Sequence, residues 1–240
     1  MNRSLGIAIV VLLALDLWAG DPWKEKPYKN WTEKDVGKIL NESPWAKRVD
    51  VEATEIALTG RDGSKELPGS EAGGEGDGGA ESRGSEEGSD EKKGSVAFMI
   101  RWVSARTMRE AWVRGEVLQK RVAELDMERA LPPAPSDYEL LVVGSGTTLF
   151  AGEDGATLKA SSYLLTKKSK EKINAIRVDV ARAPNGRKIR GVIFHFPKNT
   201  NRSISMAEEK ELKFVCRVRS TEIQVSFDLR EMVDQEGMDL

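Results

Sequence analysis

The chain is short of the residues on which most recognisable protein chemistry depends. Its 240 residues include one cysteine, Cys216, and one histidine, His195. A single cysteine excludes an internal disulfide framework and any cysteine-rich zinc or iron–sulfur site. A single histidine excludes paired-histidine metal motifs of the HExxH kind. Aromatic residues make up only 6% of the chain. No GxSxG nucleophile elbow or metal-binding carboxylate spacing occurs. Net charge is scarce too, since 37 Lys and Arg face 39 Asp and Glu for a formal −2. No catalytic residue, metal ligand or cofactor is therefore assigned from the sequence, and the binding residues stay unknown at this level.

Long apolar runs are also missing. The longest, Leu5 to Leu15, has 11 residues, against the roughly 20 that a membrane-spanning helix needs. Arg3 precedes it; small Ala19 and Gly20 follow, then the polar Asp21-Pro22. That layout predicts a secretory signal peptide over residues 1–20, cut near Ala19 or Gly20. An uncleaved anchor or a buried core helix is the weaker alternative for a run of this length. No cysteine follows the run, so lipoprotein attachment is excluded. The mature chain is expected to be soluble and periplasmic or extracellular.

What is present reads as one α+β domain, residues 21–59 and 96–240, interrupted by a loop. Thr32 and Asp35 resemble a capping box opening a short helix with Val36, Ile39 and Leu40 as its apolar stripe, stopped at Pro44. Val49, Val51 and Ala53 then alternate with polar residues as a strand, with a bulge or twist expected near Glu55. Residues 60–95 hold 11 Gly, 10 acidic, five basic and six Ser residues, with Leu67 the only large aliphatic. Such a segment cannot offset its ordering entropy by burial, so a disordered loop between two strands is expected.

Beyond it, Val96, Phe98, Ile100 and Trp102 mark a second strand. Met108, Ala111, Trp112, Gly115, Leu118, Val122 and Leu125 then recur at helical spacing. They predict one long amphipathic helix of about five turns, capped by Ser104 or by Thr107 with Glu110 and ended by the run Leu131–Pro135. Tyr138–Val143 reads as an interior strand and Thr157–Leu165 as a weaker one. Ile176, Val178 and Val180 form the buried face of another, and Pro184-Asn185-Gly186-Arg187 a hairpin turn. Val192, Phe194 and Phe196 return the chain. Leu212 to Val218 and Ile223 to Leu229 complete a mostly antiparallel sheet or sandwich.

Three motifs hint at chemistry, and each has a plainer reading. Val142-Val143-Gly144-Ser145-Gly146-Thr147 follows a strand but lacks the third glycine and the helix of a nucleotide loop, so it reads as a turn. Gly73-Gly74-Glu75-Gly76-Asp77 resembles a calcium-binding glycine repeat in a single copy with its spacing off by one. Cys216 could be a nucleophile with His195 as base, yet Cys216 shares the apolar parity of its strand and reads as a buried structural thiol.

The small net charge hides a split. Residues 157–230 carry 17 Lys and Arg against seven Asp and Glu, whereas the loop is acidic and residues 231–240 carry four acids and no base. The basic strands 157–230 are a candidate surface for an envelope polyanion or a protein, or simply a solvated strand face. No specific nucleic-acid motif accompanies them. Trp102 and Trp112 are expected in the core. Trp23, Trp31 and Trp45 either offer a stacking surface or clamp the N-terminal helix onto a sheet, and the clamp is the commoner use.

The stretches WTEKDVGKILNESPWAK (Trp31–Lys47) and FMIRWVSARTMREA (Phe98–Ala111), with the ending from Phe214 through Phe227 to Met232, resemble a group of uncharacterised exported bacterial proteins. Some of its members are labelled GWxTD-domain proteins, where this chain reads Asn30-Trp31-Thr32-Glu33-Lys34. The resemblance implies export and bacterial origin and carries over no functional residues. The expectation is a noncatalytic binding or envelope-associated structural protein; the alternative is a hydrolase or other enzyme with an unrecognised site.

Overall fold

The computed structural model describes residues 20–54, 93–184, 186, 188–198 and 206–240. Residues 1–19 of the expected signal peptide, the bulge expected near Glu55 and most of the glycine-rich loop lie outside the described residues. In chain order the elements are α1 (Pro22–Glu25), α2 (Glu33–Glu42), β1 (Ala46–Thr54), β2 (Lys93–Trp102), α3 (Arg106–Leu118), α4 (Met127–Ala130), β3 (Asp137–Val143), α5 (Gly155–Ala160), β4 (Ser162–Thr166), β5 (Lys172–Asn174), β6 (Arg177–Arg182), β7 (Ile189–Pro197), β8 (Glu211–Val218), β9 (Thr221–Asp228), β10 (Val233–Asp234) and β11 (Gly237–Met238). Short 3₁₀ turns at Tyr28–Asn30, Glu124–Asp126, Ser145–Phe150 and Met206–Glu208 connect them.

The fold is α+β with antiparallel sheets. One sheet has the order β1-β2-β3-β7-β6, a second β5-β4-β8-β9, and β10-β11 form a small ribbon. Period-two alternation sets the register. Ile100 lies opposite Val142, Leu140 opposite Phe194, and Val142 opposite Val192, so one face of the larger sheet is continuous and apolar. That face meets the inner residues of the second sheet. Phe194 and Phe196 touch Phe214, and Trp102 touches Phe227, with ring centroids 5.2 to 6.2 Å apart. β3 sits in the middle of its sheet, as its two apolar faces predict.

The capping box of α2 forms as read: Thr32 Oγ1 accepts from the Asp35 amide at 3.3 Å, and the Thr32 amide donates to Asp35 Oδ2 at 2.7 Å. β6 and β7 pair antiparallel on either side of the turn expected at Pro184-Asn185-Gly186-Arg187, of which Asn185 and Arg187 lie outside the described residues; Gly186 stands at φ +69°, a left-handed value that glycine adopts without strain. At Gly144 (φ +119°) an added Cβ would stand 2.4 Å from the Ala97 carbonyl oxygen, so this glycine serves a close-packed turn.

Several expectations are corrected. The long helix of about five turns is not found. α3 has 13 residues and ends at Leu118. The cause is a Schellman terminator: the amides of Lys120 and Arg121 donate to the carbonyls of Val117 and Glu116 at 2.9 and 2.8 Å, with Lys120 at φ +59°. The chain then folds back, and Met127 packs on Val113 and Val117. Neither Ser104 nor Thr107 caps α3, whose N-cap is Ala105 with no side-chain bond of its own. The start of the strand expected over Thr157–Leu165 is α5, because Asp154 accepts from the Thr157 amide at 2.6 Å. β2 begins at Lys93, inside the segment read as loop. Trp112, Leu125 and Ile176, all read as buried, are exposed to 53%, 97% and 47%.

Candidate functional site

α3 packs against α2 and is buried on two faces. Met108 and Ala111 join the main core, while Val113 and Val117, about 140° or more round the helix from Met108, pack on Met127 and the residues after it. Trp112 and Arg109 fall between these faces. Beside them Pro132–Pro135 runs back toward β3, tied to the helix by Arg109 Nη1, which donates to the Pro132 carbonyl at 2.6 Å. A groove of about 470 Å³ results. Leu40, Val103, Met108, Trp112 and the proline segment give it apolar lining, and Arg101, Arg109 and Glu139 its polar groups.

The electrostatics of the groove are lopsided. Arg101 Nε donates to the Leu40 carbonyl at 2.6 Å and its Nη2 to Asn41 Oδ1 at 2.8 Å. Arg109 Nε donates to the Ser104 carbonyl at 3.3 Å in addition to its bond to Pro132. All four acceptors are neutral, and among the described residues neither guanidinium forms an ion pair. Burial pushes the Arg101 pKa down with no carboxylate opposing it. Burial and the Arg109 charge also push Lys198 below its ordinary value, against the pull of Asp239, Glu139 and Asp137. The carboxylate in the groove, Glu139, forms no ion pair with either arginine among the described residues, and its Oε1 lies 3.3 Å from His195 Nδ1.

A second cavity, about 230 Å³, opens at the N-terminus of α3 among Trp23, Tyr28, Trp31, Arg106, Glu110 and Asp234. Here the charges are matched. Arg106 pairs with Asp234 at 2.5 Å and with Glu236. Asp239 caps the helix from the far end of the chain, accepting from the Arg106 and Thr107 amides at 2.6 and 2.8 Å. Trp45 Nε1 donates to the Asp239 carbonyl at 2.6 Å, and Trp31 Nε1 to the carbonyls of Pro22 and Lys26, both at 3.1 Å. Trp23 meets Trp45 edge-on with centroids 5.6 Å apart. These three tryptophans are buried and clamp the N-terminal segment, the commoner of their two expected roles.

The remaining candidates are placed as follows. Cys216 is fully buried and faces the core, where burial pushes its thiol up to about 12. His195 is buried on the opposite face of the larger sheet, the face it shares with Ile193, with Nε2 2.9 Å from Asp179 Oδ2. The sheet separates the two, so they form no pair. The basic charges of residues 157–230 are divided between both sheets, and many are matched locally. Arg217 pairs with Glu222, Arg219 with Glu153, Lys167 with Glu211 and Arg177 with Asp179. Among the described residues no group of three or more His, Cys, Asp or Glu is arranged to hold a metal ion, and no helix is long and apolar enough to cross a membrane.

The sequence reading missed the groove residues Arg101, Arg109, Glu139 and Pro132–Pro135. A proline-rich segment some residues beyond a helix carrying tryptophan is the available signal, and in the sequence it reads only as a helix stop. Comparison with family models, curated proteins and solved structures gives no match to this chain.

Proposed function

We propose that this chain is a noncatalytic binding protein of the cell envelope, exported under its N-terminal segment, and that its partner seats in the groove beside α3. The observation that carries this is Trp112. A large indole left 53% exposed in an apolar groove is a standing cost in water and an asset in a complex, where tryptophan is among the strongest anchors. The groove volume lies within the usual range of about 300 to 1,000 Å³ for small-ligand sites, and only a few of its lining side chains are polar. Resemblance to uncharacterised exported proteins supports the compartment and adds no activity.

Capture from envelope extract tests the reading, with eluates analysed for both protein and lipid. Wild type, Trp112→Ala and the double reversal Arg217→Glu with Arg219→Glu are compared. Loss of capture in Trp112→Ala, with retention in the double reversal, is the expected result. Retention in Trp112→Ala, with salt-sensitive loss in the double reversal, overturns it in favour of a polyanion on the basic strands.

A further inference from the structure

The groove is lined mainly by apolar side chains, with two arginines and one carboxylate, Glu139, among them. Met108, Trp112, Val103 and the proline wall make its sides, and Arg101 and Arg109 both line it with a neutral acceptor on every bond they make. Arg101 Nη1 and Arg109 Nη2 have no partner among the described residues. A partly buried guanidinium without a counter-charge is costly, and a carboxylate is the anion whose planar fork matches it. Glu139 lines the same groove but, among the described residues, forms no ion pair with either guanidinium; its Oε1 lies 3.3 Å from His195 Nδ1. Three of the four residues from Pro132 to Pro135 are prolines with no amide hydrogen, and the Pro132 carbonyl is already used by Arg109. A peptide would leave its own backbone groups poorly matched against such a wall, whereas an alkyl chain asks for no hydrogen bonds.

Resting on the groove as the binding site, we propose that its ligand is an acyl carboxylate, with an unbranched chain lying between Trp112 and the proline wall and a carboxylate held by Arg101 and Arg109. Head-group charge sets selectivity, and chain burial sets affinity.

Isothermal titration of the full-length chain with decanoate, decanol and decyltrimethylammonium, each below its micellar concentration, tests this directly. Decanoate should bind one to one and about tenfold or more tighter than either of the others, as a charge-assisted bond to arginine implies. From hexanoate to octanoate to decanoate, affinity should rise about fourfold per methylene. Arg109→Gln should weaken decanoate about tenfold and leave decanol unchanged. Arg101→Gln serves as the second variant, with near-UV circular dichroism confirming that each is folded. Equal binding of the three head groups, no stoichiometric binding of decanoate, or tighter binding of an apolar peptide with a free C-terminus overturns the proposal. If Trp112→Ala still abolishes capture from extract while decanoate is not preferred, the groove stands as the site and only the ligand class falls. If capture survives Trp112→Ala, the groove itself falls.

Discussion

Two cavities flank α3, and they differ in how charge and aromatic surface are satisfied. At its N-terminus, Arg106 faces two acids, Asp239 caps the first amides, and Trp23, Trp31 and Trp45 are buried. Along its side, Arg101 and Arg109 bond only neutral carbonyls and an amide and form no ion pair with the Glu139 that shares their groove, and Trp112 stands in solvent. The same residue types thus close the first region and leave the second open. A region with its own counter-charges built in belongs to folding; one that lacks them is completed from outside.

The sharpest break of that comparison lies at the closed end. Trp45→Ala removes a fully buried indole and the donor to the Asp239 carbonyl, and should cost about 3 to 5 kcal/mol in denaturant unfolding. A smaller loss would mean that the N-terminal segment is not part of the cooperative core. Asp239→Ala comes next. It strips a cap from two amides at once and should cost about 1 to 2 kcal/mol, although the residue sits next to the last in the chain. An Asp239→Ala variant as stable as wild type would show that the tail does not hold α3.

Glu110 gives the closed end a pH signature. Burial first, opposed by Arg106 and reinforced by Asp239 and Asp234, raises its carboxyl to about 7. The folded chain therefore holds a proton that the unfolded chain releases near pH 4.5, so stability falls as pH rises from about 4.5 to 7 and is level beyond. The full shift would correspond to about 3 kcal/mol, and solvent screening at this partly exposed side chain reduces it to about 1 kcal/mol. Glu110→Gln should remove that slope. The carboxylates held low, such as Asp228 at about 2 beside Arg230, have the opposite sign; their stabilisation is fully present above about pH 5 and is lost below it. Thermal unfolding between pH 5 and 7.5 separates the two, and an unchanged slope in Glu110→Gln overturns the assignment.

Much of the fold was legible from alternation and capping. Val96 to Trp102, Tyr138 to Val143 and Leu212 to Val218 are strands because each buries every second residue, and Thr32 with Asp35 opens α2 by a local rule. What failed depends on contacts distant in sequence. Asp239 caps α3 from 132 residues away across the chain, and no local pattern announces it. Helical spacing from Met108 to Leu125 merged two separate burials, one on the main core and one on Met127, into a single stripe. Trp112 falls in the gap between them, which is why its apolar neighbours made it look like core. The end of α3 was hidden because the left-handed residue of the terminator is Lys120 rather than glycine. That last point is testable: Lys120→Gly relieves a left-handed side chain and should stabilise the chain by about 0.5 to 1 kcal/mol, measured as a raised denaturant midpoint at constant slope.

The smallest effect on stability carries the most weight for function. Trp112 is half in solvent and contributes one wall of a groove rather than a layer of the core. Trp112→Ala should therefore change unfolding by no more than about 0.5 kcal/mol, in the range of ordinary surface positions, while it weakens binding in the groove by about tenfold or more. Set beside Trp45→Ala, it makes a pair of identical substitutions with inverse consequences: one costs the fold and the other costs the complex. A loss of about 2 kcal/mol or more in Trp112→Ala would erase the distinction, because the indole would then be holding α3 to the proline segment. The open region would be no more than an imperfectly packed part of the closed one.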